Sequence, residues 1–266
     1  MKKWPLILLS FCMHTALQAQ DVVSAELAFA KYAADSSVKQ AFLRYADSNG
    51  VVFDGGMARN TIRFWSAANE GGFTLVWLPT FAATSGSGDL GFTTGPYEVR
   101  RTLNDTAVAA GHYTTVWKKN GKGEWKFLAD LGIYYKPSLY QQQPVQTFNG
   151  LTPSTDSDSA IYALEKNIIL AHDTIADEAF RRTMADSVWF NIEGIGPFQG
   201  KDSIMKALER VPISLKFNPM AGGISQNRDL AYVYGTVKHN QRNEAYMRIW
   251  GHTREGWKLL LQVLKW

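Results

Sequence analysis

The sequence contains a single cysteine, Cys12, among its 266 residues. Cys12 lies in an N-terminal segment that we interpret below as a leader, so the rest of the chain has no thiol. A chain without thiols forms no disulfide, has no thiolate nucleophile and builds no cysteine-based zinc site. Histidine is also scarce, and the 5 histidines include no closely spaced pair of the kind that binds metals. We therefore expect no metal site.

Clustered positive charge is missing as well. The formal net charge is +4, from 28 Lys and Arg against 24 Asp and Glu, and no basic run is longer than two residues. A protein that binds nucleic acid usually presents a basic stripe, so we expect no nucleic-acid partner. The glycine-rich stretch Gly86–Gly88 lacks the Lys-Ser or Lys-Thr pair that follows a phosphate-binding loop. We accordingly expect no cofactor.

Long apolar runs are absent except at the N-terminus. There, Lys2 and Lys3 precede the apolar segment Leu6–Met13, and Ala16–Ala19 has the small-residue pattern of a cleavage site. The apolar segment is too short to cross a bilayer. We predict a signal peptide over residues 1–19, a secreted or periplasmic protein, and no membrane span.

The sequence does contain an internal repeat. Three patterns occur twice in the same order, separated by roughly 130–140 residues. They are segments 41–47 and 179–186, segments 89–95 and 229–235, and segments 113–126 and 246–258. Between the copies lies a stretch rich in Gln, Pro, Ser and Asp, which is typical of an extended, poorly ordered linker. We predict a first domain over 21–137, a linker over 138–158 and a second domain over 159–266.

Each half places its helices before its strands, which predicts the α+β class. Apolar spacing predicts helices over 25–34, 36–46 and 61–68 in the first half, and over 161–172 and 175–184 in the second, with another beginning near Lys201. Ser36 or Ser37 can cap the second of these helices, and Asn60 can cap the third. Alternating patterns predict strands over 51–53, 74–78, 90–100, 112–119 and 125–135, and over 188–192, 213–217, 231–238, 246–251 and 257–264. The segment Lys119–Gly123 predicts a hairpin turn, since Asn and Gly tolerate positive φ.

Two signatures carry a family resemblance. One is segment 184–191, Met-Ala-Asp-Ser-Val-Trp-Phe-Asn, with Gly-Lys-Asp-Ser-Ile at 200–204 opening the next helix; the other is a final hairpin with Trp on its last strand. Both halves thus resemble the nuclear transport factor 2-like superfamily, especially its SnoaL-like and ketosteroid-isomerase-like branches. The resemblance implies two tandem cone-shaped domains, each with N-terminal helices packed on a curved, mostly antiparallel sheet and a pocket at the open end. Relatives often dimerise sheet to sheet, which implies that the two halves pair as an intramolecular pseudo-dimer.

The resemblance does not imply one reaction, because the superfamily is similar in shape across isomerases, dehydratases, cyclases, epoxide hydrolases and binding proteins. Its ketosteroid isomerases place an aspartate base at the end of the strand after helix two. In the second half this position falls on Asn191, whose amide cannot abstract a proton. In the first half it falls on Asp54, which is either a pocket carboxylate or a turn residue before Gly55 and Gly56.

Asp130 is a second candidate base. It lies on a predicted strand among apolar neighbours, so its carboxyl must be paired or have a shifted pKa. His112 and Arg100 lie on predicted neighbouring strands, and a hydrogen bond between His112 and Asp130 would orient the imidazole for acid–base chemistry. The alternative interpretation of these residues is a structural polar cluster inside the cone.

The high aromatic content, 13% of residues, favours a pocket for a ring-shaped ligand, with core packing as the alternative. The candidate ligand-binding residues are Trp65, Tyr97, Arg100, Tyr113, Trp117, Asn191, Tyr232, Tyr246 and Arg248. Arg248 is unusual among aromatic neighbours, and we expect it to meet an anionic ligand group or a carboxylate such as Glu193.

Three functions remain open from the sequence. The first is binding of a small apolar or aromatic ligand in a cone. The second is a cofactor-free isomerase or dehydratase in the first domain, with Asp54 or Asp130 as base and His112 and Tyr113 as donors. The third is an interaction scaffold with filled cones, which Asn191 and Gln262 favour for the second half.

Overall fold

The computed structural model describes residues 11–69, 71–136, 143–172, 178–212 and 214–266. The predicted leader falls outside this range over 1–10, and the predicted linker falls outside it over 138–142. The first half comprises α1 (Phe11–Asp35), α2 (Val38–Tyr45), β1 (Ala46–Asp54), β2 (Met57–Asn60), α3 (Thr61–Ala67), β3 (Thr74–Trp77), β4 (Phe81–Thr84), β5 (Leu90–Arg100), β6 (Ala109–Lys119), β7 (Trp125–Tyr135) and β8 (Gln146–Thr147). The second comprises α4 (Ala160–His172), α5 (Glu178–Arg182), β9 (Met184–Ile192), β10 (Gly196–Gln199), α6 (Lys201–Leu208), β11 (Lys216–Ile224), β12 (Leu230–His239), β13 (Arg242–Thr253) and β14 (Gly256–Leu264).

Side-chain caps start two of the helices in the first half, as the sequence predicts. The Ser37 hydroxyl accepts a hydrogen bond from the Gln40 amide at 3.2 Å at the start of α2. The Asn60 side chain does the same for the Arg63 amide at 3.1 Å at the start of α3. Such caps satisfy amide groups that have no partner within the helix. They fix where the two helices begin beside the sheet.

The two sheets have the same strand order. The first runs β2-β1-β7-β6-β5-β4-β8, with β3 also paired to β5, and the second runs β10-β9-β14-β13-β12-β11. In each sheet the strand after the second helix pairs in parallel with the last long strand, and the long hairpins are antiparallel. Each set of helices packs on one face of its own sheet. The predicted α+β architecture with two mostly antiparallel domains is confirmed.

A β-bulge interrupts the last hairpin of each half at corresponding places. In the first half the register shifts between Val116 and Trp117, which leaves Leu128 as the extra residue. In the second half the shift lies between Ile249 and Trp250, and Leu260 is the extra residue. An extra residue reverses which side chains face which side of the sheet. The bulge therefore turns the even-numbered residues after Leu128 toward the helices of the first half.

The opposite faces of the two sheets contact each other. One buried cluster combines residues of both halves, among them Phe81, Phe92, Trp189 and Met247. The Phe81 and Trp189 rings stack with centroids 6.0 Å apart. Hydrophobic burial of this kind is the main favourable term in association, so these faces hold the halves against each other.

Two equivalent loops exchange hydrogen bonds between the halves. The Asp229 carboxylate accepts from the Gly86 amide at 2.6 Å. In return, the Asp89 carboxylate accepts from the Gln226 amide at 3.2 Å. Each aspartate also accepts from a serine in its own loop, Ser85 or Ser225. The repeated Asp-Leu pattern of the sequence is thus explained by a reciprocal loop contact.

Several short elements were not predicted. β2 and β10 follow their preceding strands across tight turns, and β4 lies in a run of small residues that has no clear alternation. Part of the segment predicted as a poorly ordered linker is β8, which pairs in parallel with β4. Its continuation also donates from the Thr152 amide to the His252 carbonyl at 2.8 Å. Backbone pairing of this kind leaves no hydrophobic pattern in the sequence.

Gly111 is required by a close approach between strands and a ring. A Cβ added there would lie 1.9 Å from the Ile133 carbonyl oxygen and 2.4 Å from the Tyr97 ring. We expect Gly111→Ala to lower the free energy of unfolding by about 2–3 kcal/mol, because the added methyl group would have to displace the Ile133 carbonyl of the paired strand and the Tyr97 ring. Gly132→Ala is the matched control, since its Cβ would lie no nearer than 3.4 Å to any neighbour. Urea unfolding of both variants checks this, and equal stability would contradict it.

Candidate functional site

A cavity of about 420 Å³ lies between the helices and the sheet of the first half. Its wall is mostly aromatic and aliphatic, with one carboxyl and one amine. The lining residues are Phe29, Phe42, Val52, Phe53, Phe64, Trp65, Phe73, Leu75, Trp77, Tyr97, Val99, Tyr113, Asp130, Gly132, Tyr134 and Lys265. Binding sites for small molecules typically combine such apolar walls with a few polar groups. We take this cavity as the candidate site.

Asp130 is the carboxyl that faces the cavity. The bulge at Leu128 directs it there, because without the extra residue the same position would face the second half. Its carboxylate accepts a hydrogen bond from the Thr115 hydroxyl at 2.7 Å. Burial raises the pKa of Asp130 from 3.8 to about 6, against the opposing effect of the Thr115 hydrogen bond. The carboxyl is therefore ionised at neutral pH but takes up a proton just below it.

The predicted hydrogen bond between His112 and Asp130 does not form. His112 lies on the other face of β6, where its ring stacks on Trp189 at 5.8 Å between the halves. Burial lowers the pKa of His112 to about 3, so its ring is neutral. The strand neighbour of Asp130 is Thr115. The prediction put His112 and Asp130 on neighbouring strands but did not resolve which face His112 occupies.

Two tyrosines present hydroxyl groups near this carboxyl. The Tyr113 hydroxyl is buried and makes no hydrogen bond of normal geometry within the described part of the chain. Burial, and then the charges of Glu26 and Asp130, raise the pKa of Tyr113 well above its ordinary value. The Tyr97 hydroxyl instead donates to the Ile133 carbonyl at 3.0 Å. Tyr113 is thus a neutral phenol that lines the cavity and whose hydroxyl is buried.

Glu26 is a buried acid that the sequence analysis missed. It lies on α1, and its carboxylate accepts from the Trp77 indole at 2.6 Å, the Trp117 indole at 3.0 Å and the Thr93 hydroxyl. Burial raises the pKa of Glu26 to about 7, with these donors opposing the shift. A helical glutamate is ordinarily a surface residue, so nothing local marks it. The repeat did contain one signal for these acids: each half has a glutamate on the helix that precedes its sheet, Glu26 in the first and Glu165 in the second.

The second half also has a buried glutamate that accepts an indole hydrogen bond, but this glutamate is paired with an arginine. Glu165 accepts from the Trp250 indole at 2.8 Å, as Glu26 does from Trp117. Glu165 also forms an ion pair with Arg248 at 2.8 Å, and both side chains are 0% exposed. The Arg248 Nε donates to the Gln262 carbonyl oxygen at 2.6 Å. Arg248 therefore pairs with Glu165 and not with the predicted Glu193, which binds the Tyr134 amide instead.

Strand register gives the corresponding positions of the two halves. Thr115 pairs with Asp130 across its hairpin, and Arg248 pairs with Gln262 across the equivalent one. Tyr113 likewise pairs with Gly132, where Tyr246 pairs with Leu264. Thr115 and Gly132 in the first half thus stand where the second half has Arg248 and Leu264. The larger side chains fill the second cone, and the smaller ones leave the first cone open.

Four of the remaining predicted residues lie away from the cavity. The Asp54 side chain is 58% exposed at the β1–β2 turn and lies 4.0 Å from Arg59, so the turn interpretation holds. Arg100 forms hydrogen bonds with Glu98 and the Leu103 carbonyl. Asn191 donates to Thr94 and Thr114 between the halves, and Tyr232 packs there against Tyr234. Exposure or packing at the inter-half contact removes these residues from the candidate site.

The counterpart of Asn191 also differs from the prediction. Val52 pairs with Asp130 in the first sheet, and Phe190 pairs with Gln262 in the second. Val52 and Phe190 therefore correspond, and so do the next residues, Phe53 and Asn191. The predicted correspondence of Asp54 with Asn191 is off by one position, which reverses the face of the strand.

Of the predicted ligand-binding residues, three line the cavity: Trp65, Tyr97 and Tyr113. Trp65 stacks on Phe42 with ring centroids 4.8 Å apart. Trp117 lies behind the cavity wall, where it holds Glu26. Tyr246 lies in the filled cone of the second half, where its hydroxyl donates to Glu165 at 3.2 Å.

The stability of the protein should depend on the titration of Asp130. Its folded-state pKa of about 6 exceeds the ordinary 3.8, so the folded protein holds this proton more tightly than the unfolded chain does. The resulting stabilisation is present below about pH 4 and is lost as the pH rises through about 6. We expect the wild type to lose about 3 kcal/mol relative to Asp130→Asn over this window. Urea unfolding at both ends measures it; parallel profiles would contradict the assignment.

Among the residues that the structure describes, no three His, Cys, Asp or Glu side chains come together to hold a metal ion. Within the same residues, no helix is long and apolar enough to cross a membrane.

Comparison with known proteins gives matches only among solved structures. No protein-family model matches the chain, and no curated protein matches it. An NTF2-like protein with a cystatin-like fold from Novosphingobium aromaticivorans is 14% identical, with 39% of this chain and 77% of that chain covered and a TM-score of 0.33. A putative ketosteroid isomerase from Parabacteroides distasonis is 16% identical, with 42% and 86% covered and a TM-score of 0.34. An NTF2-like protein of unknown function from Pseudomonas putida is 14% identical, with 42% and 87% covered and a TM-score of 0.36.

Proposed function

We propose that the first half binds a small, mostly apolar, ring-bearing ligand in its cone. The observation that carries this proposal is the aromatic cavity of about 420 Å³, into which Asp130 presents a carboxyl. Its volume is within the range of small-molecule sites, roughly 300–1,000 Å³. Tyr113 lines the same cavity, and we assign its buried hydroxyl, which makes no hydrogen bond of normal geometry with the described residues, as the donor for one polar group of the ligand.

The second half has a supporting role in this proposal. Its cone is filled by Arg248 and Leu264, each 0% exposed. Its C-terminal segment supplies Lys265, which lines the first-half cavity and donates to the Gly132 carbonyl at 3.3 Å. Together with the reciprocal loop contacts, this supports an intramolecular pseudo-dimer with one working cone.

Binding is tested with naphthylmethanol, a neutral bicyclic probe that carries one hydroxyl. Trp65 and Trp77 line the cavity, so bound probe should change the intrinsic fluorescence of the full chain. We expect saturable binding with one molecule per chain. Mass spectrometry of the purified protein, native and then denatured, would reveal a ligand retained from the expression host. If neither experiment detects a bound molecule, the interaction-scaffold alternative is favoured.

Acid–base catalysis in the same cavity is the second candidate. Asp130 and Tyr113 favour it, because a carboxylate with a pKa of about 6 can accept a proton while a neutral phenol stabilises the resulting enolate. Deuterium exchange into tetralone, followed by NMR, tests this reaction. We expect Asp130→Asn to lower the enzyme-dependent rate by at least about 100-fold. A rate equal to that of buffer alone would leave binding as the function.

We also propose that residues 1–19 direct export to the periplasm or the exterior. The basic start, the short apolar segment and the small-residue cleavage pattern support this proposal. N-terminal sequencing of protein recovered from outside the cytoplasm should begin at Gln20 or Asp21. An intact Met1 on the exported protein would contradict it.

A further inference from the structure

The two cones share a framework of a buried glutamate and aromatic side chains at corresponding positions. Glu26 and Glu165 each accept an indole N–H, from Trp117 and Trp250 respectively. Tyr113 and Tyr246 occupy corresponding places, as the register of their hairpins shows. A carboxylate behind an aromatic wall is therefore common to both halves.

Trp77 and Phe217 also correspond. Trp77 pairs with Tyr97 in the first sheet, and Phe217 pairs with Val237 in the second. Tyr97 and Val237 occupy corresponding places. Each lies two residues beyond a glycine that pairs with the equivalent tyrosine of its half, Tyr113 in the first and Tyr246 in the second. Each cone thus has two aromatic rings at matching positions.

In the second half this framework holds a guanidinium group. The guanidinium carbon of Arg248 lies 4.6 Å from the centre of the Phe217 ring and 4.8 Å from that of Tyr246. Its Nη1 donates to Glu165 at 2.8 Å. Aromatic faces and carboxylates both attract a desolvated cation. The second cone is thus occupied by its own cation.

In the first half the same framework has no such cation. Thr115 replaces Arg248, and Asp130 replaces Gln262, so the site loses one positive charge and gains one carboxyl. Among the described residues that line the cavity, Lys265 is the basic one, and its Nζ lies 3.6 Å from the Glu193 carboxylate. Asp130 therefore faces the aromatic space with no paired cation among the described lining residues, whereas Glu26 adjoins that space and is held by the Trp77 and Trp117 indoles.

We propose that the ligand of the first-half cavity is an organic cation, an amine or guanidinium on an apolar ring-bearing body, whose charged group lies beside Trp77, Tyr113 and Asp130. This inference rests on the proposed binding function and adds the chemical class of the ligand. The cation takes the place that Arg248 occupies in the second half. Burial raises the pKa values of Glu26 and Asp130, and a cation beside Asp130 would oppose that shift because it favours the charged carboxylate.

Three probes of one shape test the charge preference: naphthylmethylamine, naphthylmethanol and naphthoate. We expect calorimetric titration of the full chain to give an affinity for the amine about tenfold higher than for the alcohol, and the weakest binding for the carboxylate. Asp130→Asn should abolish the preference for the amine, so that the affinities for amine and alcohol become equal within about threefold. Equal affinities for amine and alcohol would overturn the inference but leave the binding function intact. Failure of all three probes to bind would overturn both.

A matched pair of variants tests the site through its effect on stability and on amine binding. Thr115→Arg copies the second half and introduces a guanidinium at a buried position whose side chain contacts the Asp130 carboxylate. Thr114→Arg places the same group one residue away on the opposite face, where Thr114 contacts Thr94 and Asn191. We expect Thr115→Arg to fold with a melting temperature near that of the wild type and to lose amine binding. Thr114→Arg should be strongly destabilised, since it buries an unpaired charge. Equal destabilisation of the two variants would contradict the inference.

Discussion

Replacing Arg248 with methionine should lower the free energy of unfolding by about 3–5 kcal/mol. The substitution preserves much of the side-chain volume but removes the charge that pairs with Glu165, and both side chains are 0% exposed. A buried carboxylate without its partner is costly because the protein interior cannot replace its hydration. The loss of the contacts with the Phe217 and Tyr246 rings adds to this cost. Urea unfolding at neutral pH measures the effect.

Two further variants separate the charge from the packing. Arg248→Met combined with Glu165→Gln should recover part of the loss, because the second change removes the unpaired charge. Lys201→Met is the control for a surface ion pair, since its partner Asp186 has a side chain that is 98% exposed. We expect that control to cost less than about 1 kcal/mol. If Arg248→Met behaves like Lys201→Met, the filled second cone does not depend on its cation.

Replacing Gly132 with leucine should weaken the binding of naphthylmethanol by at least about 100-fold, because the side chain occupies the cavity itself. The change copies the second half, where Leu264 stands at the corresponding position and is fully buried. The first atom of the new side chain comes no nearer than 3.4 Å to any neighbour, the nearest being a Tyr97 ring carbon, which is an ordinary contact. The variant should therefore fold and lose binding. Fluorescence titration of the purified variant measures this.

Gly132→Ala is the matched control for the leucine variant. It adds one methyl group at the same site and should change the affinity by no more than about threefold. Circular dichroism should show the same strand and helix content for both variants. Undiminished binding by a folded Gly132→Leu variant would place the ligand outside this cavity.

The sequence predicted the fold well because its elements are marked locally. Ser37 and Asn60 cap their helices as expected, and the turn at Lys119–Gly123 joins β6 to β7. The duplicated patterns also have structural causes, such as the exchange between the Asp89 and Asp229 loops. Capping residues, turn residues and alternating apolar residues report directly on backbone conformation.

The candidate site was predictable only in part. Asp130, Tyr97, Tyr113 and Trp65 were identified by residue type and do line the cavity. The partner of Asp130 was wrong because pairing depends on which face each strand presents. A single extra residue, Leu128, sets that face on β7, and a bulge leaves no mark in composition.

Glu26 and Glu165 were missed for a different reason. Each carboxylate gains its significance from indole and other donors that are distant in sequence. Only the folded chain brings an α1 residue beside β3 and β6. The two halves differ in that the first cone is open and the second is filled. The first has Thr115 and Gly132 where the second has Arg248 and Leu264.

The most direct test of this account is an NMR titration of naphthylmethanol into protein with isotope-labelled tryptophan. The chain has 9 tryptophans, so single substitutions suffice to assign the indole N–H signals. We expect the signals of Trp65 and Trp77, which line the open cone, to shift with saturation. The signal of Trp250, which bonds Glu165 in the filled cone, should stay in place. Shifts at Trp250 without shifts at Trp65 and Trp77 would contradict the central claim that the first half holds the binding site.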